Sequence, residues 1–457
     1  MIDYLISILA LGGLTLLGAF LLRALDRERK LKLLEILSLG YGIGLGLLAG
    51  EMLLLHLAGI EWTCLNTIWP LCLLAVLFLL AGGRLRFPSL PEKPKGMEWF
   101  FLCGIGFQWF CALMLASLTP LEAFDAAGIW GWKGKILFLV HGIPVEILGN
   151  RSYPIYHADY PLLVPLAESW IYTLLGHFND FAAKLVFPFF HAALLGLFYC
   201  AAKRLNLNRR TCLVFTFLLA SLPIFTGQAS NGYVDIAIAF FLVASIFSLL
   251  FWTSTRRNSL LLLAAIFAGL SAMTKNEGLM LSLVTGITLV FCLWRERSRF
   301  SFSRAIAMLL VFSTVLLAVV SPWLIVRHQI GFANDLVNEK TWHQQVKAEN
   351  LFRLGPILWQ YQKIIFDFKN WNLIWVLFLA GMFYRLRRGL TEPEIYVLLP
   401  LGLALAGYTG IFLITTYDLQ WHLGTATSRL FLHLAPLALF SVALAYREIV
   451  DEMRTSY

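Results

Sequence analysis

Thr119-Pro120-Leu121-Glu122-Ala123-Phe124-Asp125 follows an apolar run that ends near Ser117, and Trp130-Gly131-Trp132-Lys133-Gly134-Lys135 comes directly after it. An apolar run of roughly 20 residues is long enough to cross a bilayer as a helix. The chain then steps into a short wet segment with a carboxylate and two cations close behind it. Charge at the mouth of a membrane bundle is expensive to place, and it marks a functional site by default.

The rest of the chain fits that reading. Of its 457 residues 59% are hydrophobic and 14% charged, with mean hydropathy +0.74. The repeated apolar runs are rich in Leu, Phe, Ala and Gly and lack period-2 alternation. They predict an all-α integral membrane protein and argue against a β-barrel. The first run, Tyr4 to Leu22, follows Asp3 and has no basic leader, so it reads as a retained span. A net charge of +9 in a soluble protein points to nucleic acid; here the basic residues mark cytoplasmic loops and no nucleic-acid partner is expected. The seven cysteines form no Cys-x-x-Cys pair and read as small packing residues.

About 13 spans are expected, near 3–23, 34–58, 65–81, 98–117, 183–202, 211–228, 233–253, 259–274, 277–294, 304–326, 371–385, 394–416 and 430–446. Alternate loops then hold 24 of the 36 Lys and Arg residues, which places those loops in the cytoplasm. Tyr160–Gly176 cannot be a further span without reversing every later loop. It contains Pro161, Pro165 and Glu168 and is expected to be a helix at, or dipping into, the outer interface. The outer face owns large loops at 118–182 and 327–370 and short turns at 228–235, 274–278 and 415–429.

Most of the unusual polar residues fall in those five places. Asp125 suits a general base acting on a hydroxyl; the plainer reading, a cap for the helix that starts at Ala126, is equally weighted from residue type alone. Lys133, Lys135 and Arg151 are placed to clamp a phosphate, and taken singly each reads better as a snorkelling lysine or arginine. Ser152 to Pro161 packs Tyr156, His157, Asp159 and Tyr160 together, as a sugar-binding face or as an interfacial belt with loop-bracing polar groups. Asp235 opens a span, where its own helix dipole is reason enough for it. Lys275 and Glu277 interrupt an apolar stretch, as a phosphate-facing lysine or as a simple pair. Trp421 and His422 belong to a dense polar and aromatic patch that ends at Arg429. An unpaired arginine there is costly unless it meets a phosphate or a carboxylate. Trp342 and His343 suggest a lid over the acceptor.

There is no Walker A loop, His-Glu-x-x-His, Gly-x-Ser-x-Gly or Rossmann fingerprint, and no Asp-x-Asp pair in the first loop. No metal ligand set is visible, and metal-independent chemistry without a cofactor is expected.

In the order of these features the chain resembles the GT-C superfamily of polytopic glycosyltransferases. It is most similar to the branch of protein O-mannosyltransferases and the lipid A aminoarabinose transferase. The resemblance rests on Asp125 early in an outer loop, Trp132-x-x-Lys135, Tyr160-Pro161-Leu162-Leu163 with Trp170, Tyr233 and Asp235, Thr274-Lys275-Asn276-Glu277-Gly278, and Arg429 with Pro436. It covers about 98–440 and implies a catalytic membrane domain at 98–457, preceded by additional helices at 1–97. Three departures stand out: four spans rather than one precede the loop, Ala126 and Ala127 replace a second acid, and a proline pair is reduced to Tyr160-Pro161.

The resemblance implies inverting transfer of a sugar from a polyprenyl-phosphate donor to a hydroxyl on a glycan, lipid or protein. The active site then faces the periplasm or exterior of the cytoplasmic membrane, among membrane lipids. Asp125 is the implied base, Lys133, Lys135, Lys275 and Arg429 bind the donor phosphate, and Tyr156, His157, Asp159, Tyr160, Asp235, Glu277, Trp421 and His422 line the sugar and acceptor side. The rivals are an outer-face glycan ligase or polymerase and a transporter or flippase. Transporters concentrate polar groups near the midplane, whereas here only Glu51 and His191 lie mid-span.

Overall fold

The structure, a computed structural model, describes residues 1–26, 28–82, 93–150, 157–299, 301–331 and 345–455. Among them there is no strand, as expected for a chain that must satisfy its backbone inside each spanning segment. Ten helices are long and apolar enough to cross a membrane, and the chain is a multi-pass membrane protein. Each of the other expected spans falls on shorter helices: Arg209–Ala220 with Pro223–Gln228, Asn258–Ala272 and Ile374–Arg388. Pro223 divides the first of these by starting a new helix where the old one ends.

Asp235–Thr255 is the axis of the bundle. Its apolar window is wholly buried, and it packs against Asn258–Ala272, Leu419–Thr455 and Val186–Arg204. Cys64–Gly82, Met97–Leu118 and Phe302–Ile330 lie at the periphery and expose Leu80, Phe100, Phe107 and Leu310. A helix apolar all round belongs in a core or in lipid, and these three take the lipid side.

Between apolar helices in lipid, close backbone approach is a main source of cohesion. Ile2–Leu25 and Leu33–Leu57 meet in this way. A Cβ on Gly18 would fall on the Gly40 carbonyl, and one on Gly44 would fall on the Leu14 carbonyl. The turn between Asn258–Ala272 and Asn276–Arg295 is equally tight, since a Cβ on Gly278 would strike the Ser271 carbonyl.

The basic loops gather at one end. Arg257 pairs with Asp26, Arg204 with Glu35 at 2.8 Å, Arg209 with Glu98 at 3.5 Å, Arg256 with Glu296, and Arg385 with Glu394 at 2.7 Å. The same helices carry Asp235, Lys275 and the segment after Leu118 at their other ends. The opposite charge pattern of the two ends is therefore built into single helices.

Leu163–Leu175, expected at or dipping into the outer interface, is a helix enclosed by the protein. Every residue from Leu163 to Thr173 is buried, so protein rather than lipid headgroups covers it on all sides. Its cover comes from the N-terminal helices and from Trp132–Val140. Trp170 Nε1 donates to Thr67 Oγ1 at 3.2 Å, and Cys64 Sγ donates to the Thr173 carbonyl at 2.9 Å. The apolar stretch 160–176 gave a length but no view of what encloses it. Glu168 sits in this packing with Oε2 lacking a hydrogen-bond partner. Burial, helped by nearby Asp180 and opposed by Lys135, pushes its carboxyl up to about 8.

Two outcomes follow. Gly44→Val forces two backbones apart and costs more than the ~1–3 kcal/mol of ordinary overpacking; the variant should lose most of its monodisperse yield in size-exclusion chromatography. Glu168 holds its proton in the fold but loses it on unfolding above about pH 4.5, so it lowers stability progressively as pH rises toward 8. Thermal melts of Glu168→Gln should show a flatter decline over that window than the wild type.

Candidate active site

Asp125 caps nothing: it precedes a π-helical turn, Ala126–Gly131, and makes no side-chain bond to it. The widened turn, a form frequent at functional sites, leaves the carboxylate free to face Arg429. The two form an ion pair from Arg429 Nη1 to Asp125 Oδ2. Arg429 stands nearly three turns inside the helix that begins at Leu419, gives its Nε proton to the Thr425 carbonyl at 3.1 Å, and lays its guanidinium 5.0 Å from the Tyr233 ring centroid. Burial and the adjacent Asp125 carboxylate push the Tyr233 phenol up.

Behind this pair lies Asp235, 1% exposed. Its Oδ1 accepts from Lys275 Nζ at 3.2 Å and lies 3.0 Å from His433 Nε2, while Oδ2 is 3.9 Å from Arg429. His433 Nδ1 meets the Tyr408 hydroxyl at 2.8 Å. Lys275 also pairs with Glu277 at 2.9 Å. Burial pulls the Lys275 ammonium down, but the Asp235 and Glu277 carboxylates outweigh it and hold the group above its ordinary value. Asp125 and Arg429 keep 22% and 18% of their side-chain surface exposed. The front pair is thus reachable, whereas Asp235, His433 and Tyr408 are support.

Two further elements lock the site. Lys184, fully buried, donates to the Thr119 carbonyl and, at 3.4 Å, to that of Pro120, pinning the start of the Asp125 segment. Gly232, at φ +87, brings its turn so close that a Cβ would press on Leu121 and Ala126. On the other flank Asn276 Nδ2 donates to Asp159 Oδ2 at 2.6 Å, and the Leu163 amide to the Met273 carbonyl at 3.1 Å. These bonds join the first loop to the 274–278 turn.

Of the residues singled out from sequence, Asp125, Asp235, Lys275, Glu277 and Arg429 come together. Lys133, Asp159, Tyr160 and His157 form an adjoining shelf. Tyr160 stacks between Trp130 at 5.5 Å and His157 at 4.5 Å, and Lys133 Nζ lies 5.7 Å from the Tyr160 ring and donates to the His157 carbonyl. Burial, with Glu277 adding to it, raises the Tyr160 phenol well above its usual range. Lys135 instead pairs with Asp180 at 2.7 Å, whose other oxygen accepts from Tyr172. His422 hydrogen-bonds Thr415 Oγ1 at 2.9 Å, and Trp421 is exposed beside Tyr417. Tyr156, Arg151, Trp342 and His343 lie outside the described residues. Sequence reasoning missed His433, Tyr408 and Lys184. The available signal for His433 was its place one helical turn from Arg429, on the same face of an apolar helix.

A sequence model of the family described as dolichyl-phosphate-mannose-protein mannosyltransferase matches residues 132–334. The matched part holds Lys133, Asp159, Asp235, Lys275 and Glu277, and leaves Asp125 and Arg429 outside it. In three dimensions the chain is similar to the crystal structure of ArnT from Cupriavidus metallidurans bound to undecaprenyl phosphate. The TM-score is 0.51 at 16% identity, over 77% of this chain. The chain has the fold of a GT-C membrane glycosyltransferase. The likeness spans 60% of the ArnT chain's length. No curated protein sequence matches significantly. Within the GT-C fold the site just described lies at the starts of the helices that begin at Asp235 and Asn276 and against Arg429 and His433 inside Leu419–Thr455. Among the described residues no group of three His, Cys, Asp or Glu is arranged around a common metal position.

Removing one partner of a buried ion pair costs about 3–5 kcal/mol. Asp235→Asn leaves Lys275 and Arg429 without their shared counter-charge, and its thermal unfolding in detergent should drop accordingly. An unchanged melting temperature would show that the Asp235 cluster does not hold the bundle end together.

Proposed function

We propose that the protein transfers a sugar from a polyprenyl-phosphate-linked donor to an acceptor hydroxyl, with inversion, at the outer face of the cytoplasmic membrane. The observation that carries this reading is the reachable Asp125–Arg429 pair, backed by a buried Asp235, Lys275 and His433. A carboxylate at hydrogen-bond distance from a hydroxyl takes its proton as the oxygen attacks. The acceptor oxygen forms a bond to the anomeric carbon while the bond from that carbon to the phosphate oxygen breaks. The leaving phosphate is anionic at neutral pH, so it calls for fixed positive charge rather than a strong acid. Arg429 supplies a planar fork for it and Lys275 a nearby ammonium. Lys133 and the Tyr160 shelf adjoin on the sugar side, with Trp421 and His422 at the rim.

The family model's description and the undecaprenyl phosphate named with the ArnT structure support a lipid-phosphate carrier. The basic loops at the opposite end support an outward-facing site. In this reading the phosphate charge falls to the protein's own cations, with no cofactor. The acceptor is a glycan, a lipid or a protein hydroxyl.

The test is sugar transfer from a radiolabelled polyprenyl-phosphate sugar pool in membranes holding equal amounts of wild type or Asp125→Asn. Loss of at least ~100-fold in the variant is expected for a missing general base. Equal transfer by both would remove Asp125 from catalysis and favour a ligase-type mechanism. No transfer by the wild type from any carrier would favour a transporter.

A further inference from the structure

The residues that should hold a phosphate are already occupied by carboxylates. Arg429 and Lys275 bring two positive charges, while Asp125, Asp235 and Glu277 bring three negative ones, which leaves these five groups at minus one. A phosphate cannot be drawn to such a cluster as it stands. Lys275 is held by two buried carboxylates and is 6% exposed, so it is not easily diverted. Arg429 is different. Its bond to Asp125 lies on the exposed side of the site, and its link to Asp235 is long, at 3.9 Å. The same bond engages Asp125 Oδ2, an oxygen that a base needs for the acceptor proton.

We propose that Arg429 is exchanged between Asp125 and the donor phosphate, so that donor binding is what frees the catalytic base. This rests on the glycosyltransferase reading above. In the empty protein the guanidinium neutralises Asp125 and keeps its oxygen from the acceptor. When the phosphodiester arrives, Arg429 turns its N–H groups to the phosphate oxygens while its Nε–H bond to Thr425 and the Tyr233 ring keep the stem in place. Asp125 then faces the acceptor hydroxyl with a free oxygen. On transfer the hydroxyl proton moves to Asp125, the new oxygen–carbon bond forms, and the electron pair of the broken bond leaves on the polyprenyl phosphate. A protonated Asp125 no longer attracts Arg429, so the arginine stays on the product phosphate until that proton is lost. An acceptor that arrives first meets a blocked base.

The exchange has an uncommon signature: removing the base strengthens donor-side binding. Binding of a polyprenyl monophosphate to the full-length protein in nanodiscs is measured for wild type, Asp125→Asn, Arg429→Gln and the double variant. Asp125→Asn should bind about tenfold more tightly than wild type, the order expected for releasing one charge-assisted bond. Arg429→Gln should bind more weakly, and Asp125→Asn added to it should bring no gain. If Arg429→Gln does not purify as a monodisperse protein, Arg429→Lys takes its place and the gain should shrink to a few-fold. Wild type that binds while Asp125→Asn binds no tighter overturns the exchange and leaves the glycosyltransferase reading intact. A gain that survives without Arg429 also overturns it, since charge repulsion by Asp125 alone then explains the effect. Absence of binding by all four proteins overturns both readings.

Discussion

A single buried carboxylate organises this end of the molecule. Asp235 faces Lys275, His433 and Arg429, which come from the turn before one helix and from two successive turns of another. A carboxylate taken out of water is costly unless charge and hydrogen bonds compensate it, so the three helices are tied to one another by the cost of separating them. Everything that faces outward from that knot is placed by it. Arg429 is held at a height that meets Asp125, the Lys275 turn is held where Asn276 meets Asp159, and the first loop is drawn down onto both.

The knot also separates two kinds of charge. The inner groups Asp235 and His433 are buried, whereas the outer pair, Asp125 and Arg429, is reachable from solvent. Electrostatic stabilisation works best when its dipoles are fixed before the reaction begins. Here Asp235 and His433 fix Arg429 from behind, and Lys184 does the same for the Asp125 segment by holding two carbonyls at its start.

The class of the fold was legible in the sequence because apolar length and basic loops report directly on the bilayer. Helix ends were read to within a few residues except in the last helix, expected over 430–446 after a turn at 415–429; it begins at Leu419 and runs to Thr455, because the polar residues before Arg429 continue the helix rather than break it. The enclosure of Leu163–Leu175 was not, because an apolar segment looks the same whether lipid or protein surrounds it. In the site, Asp125 and Arg429 stood out as charges that apolar surroundings do not tolerate alone, though nothing in a linear chain pairs residues 304 apart. Asp235 was underrated, since a helix-start aspartate has a sufficient local reason, and its partners stand 40 and 198 positions away. His433 and Tyr408 were hidden by their apolar neighbours. Lys135 looked equivalent to Lys133 in sequence, yet two residues along a helix turn it to another face, where Asp180 takes it.

The glycine contact between Ile2–Leu25 and Leu33–Leu57 bears on how the molecule is built. The backbones of these two helices fit each other without any later element, since Gly18, Gly40 and Gly44 need only one another's chains. Cys64–Gly82 follows and adds Thr67 and Cys64. Together they form the surface that receives Trp170 and Thr173. The first three helices are thus a wall for the enclosed helix, and a shift in their glycine contact is passed to the first loop through Trp170 and Thr173.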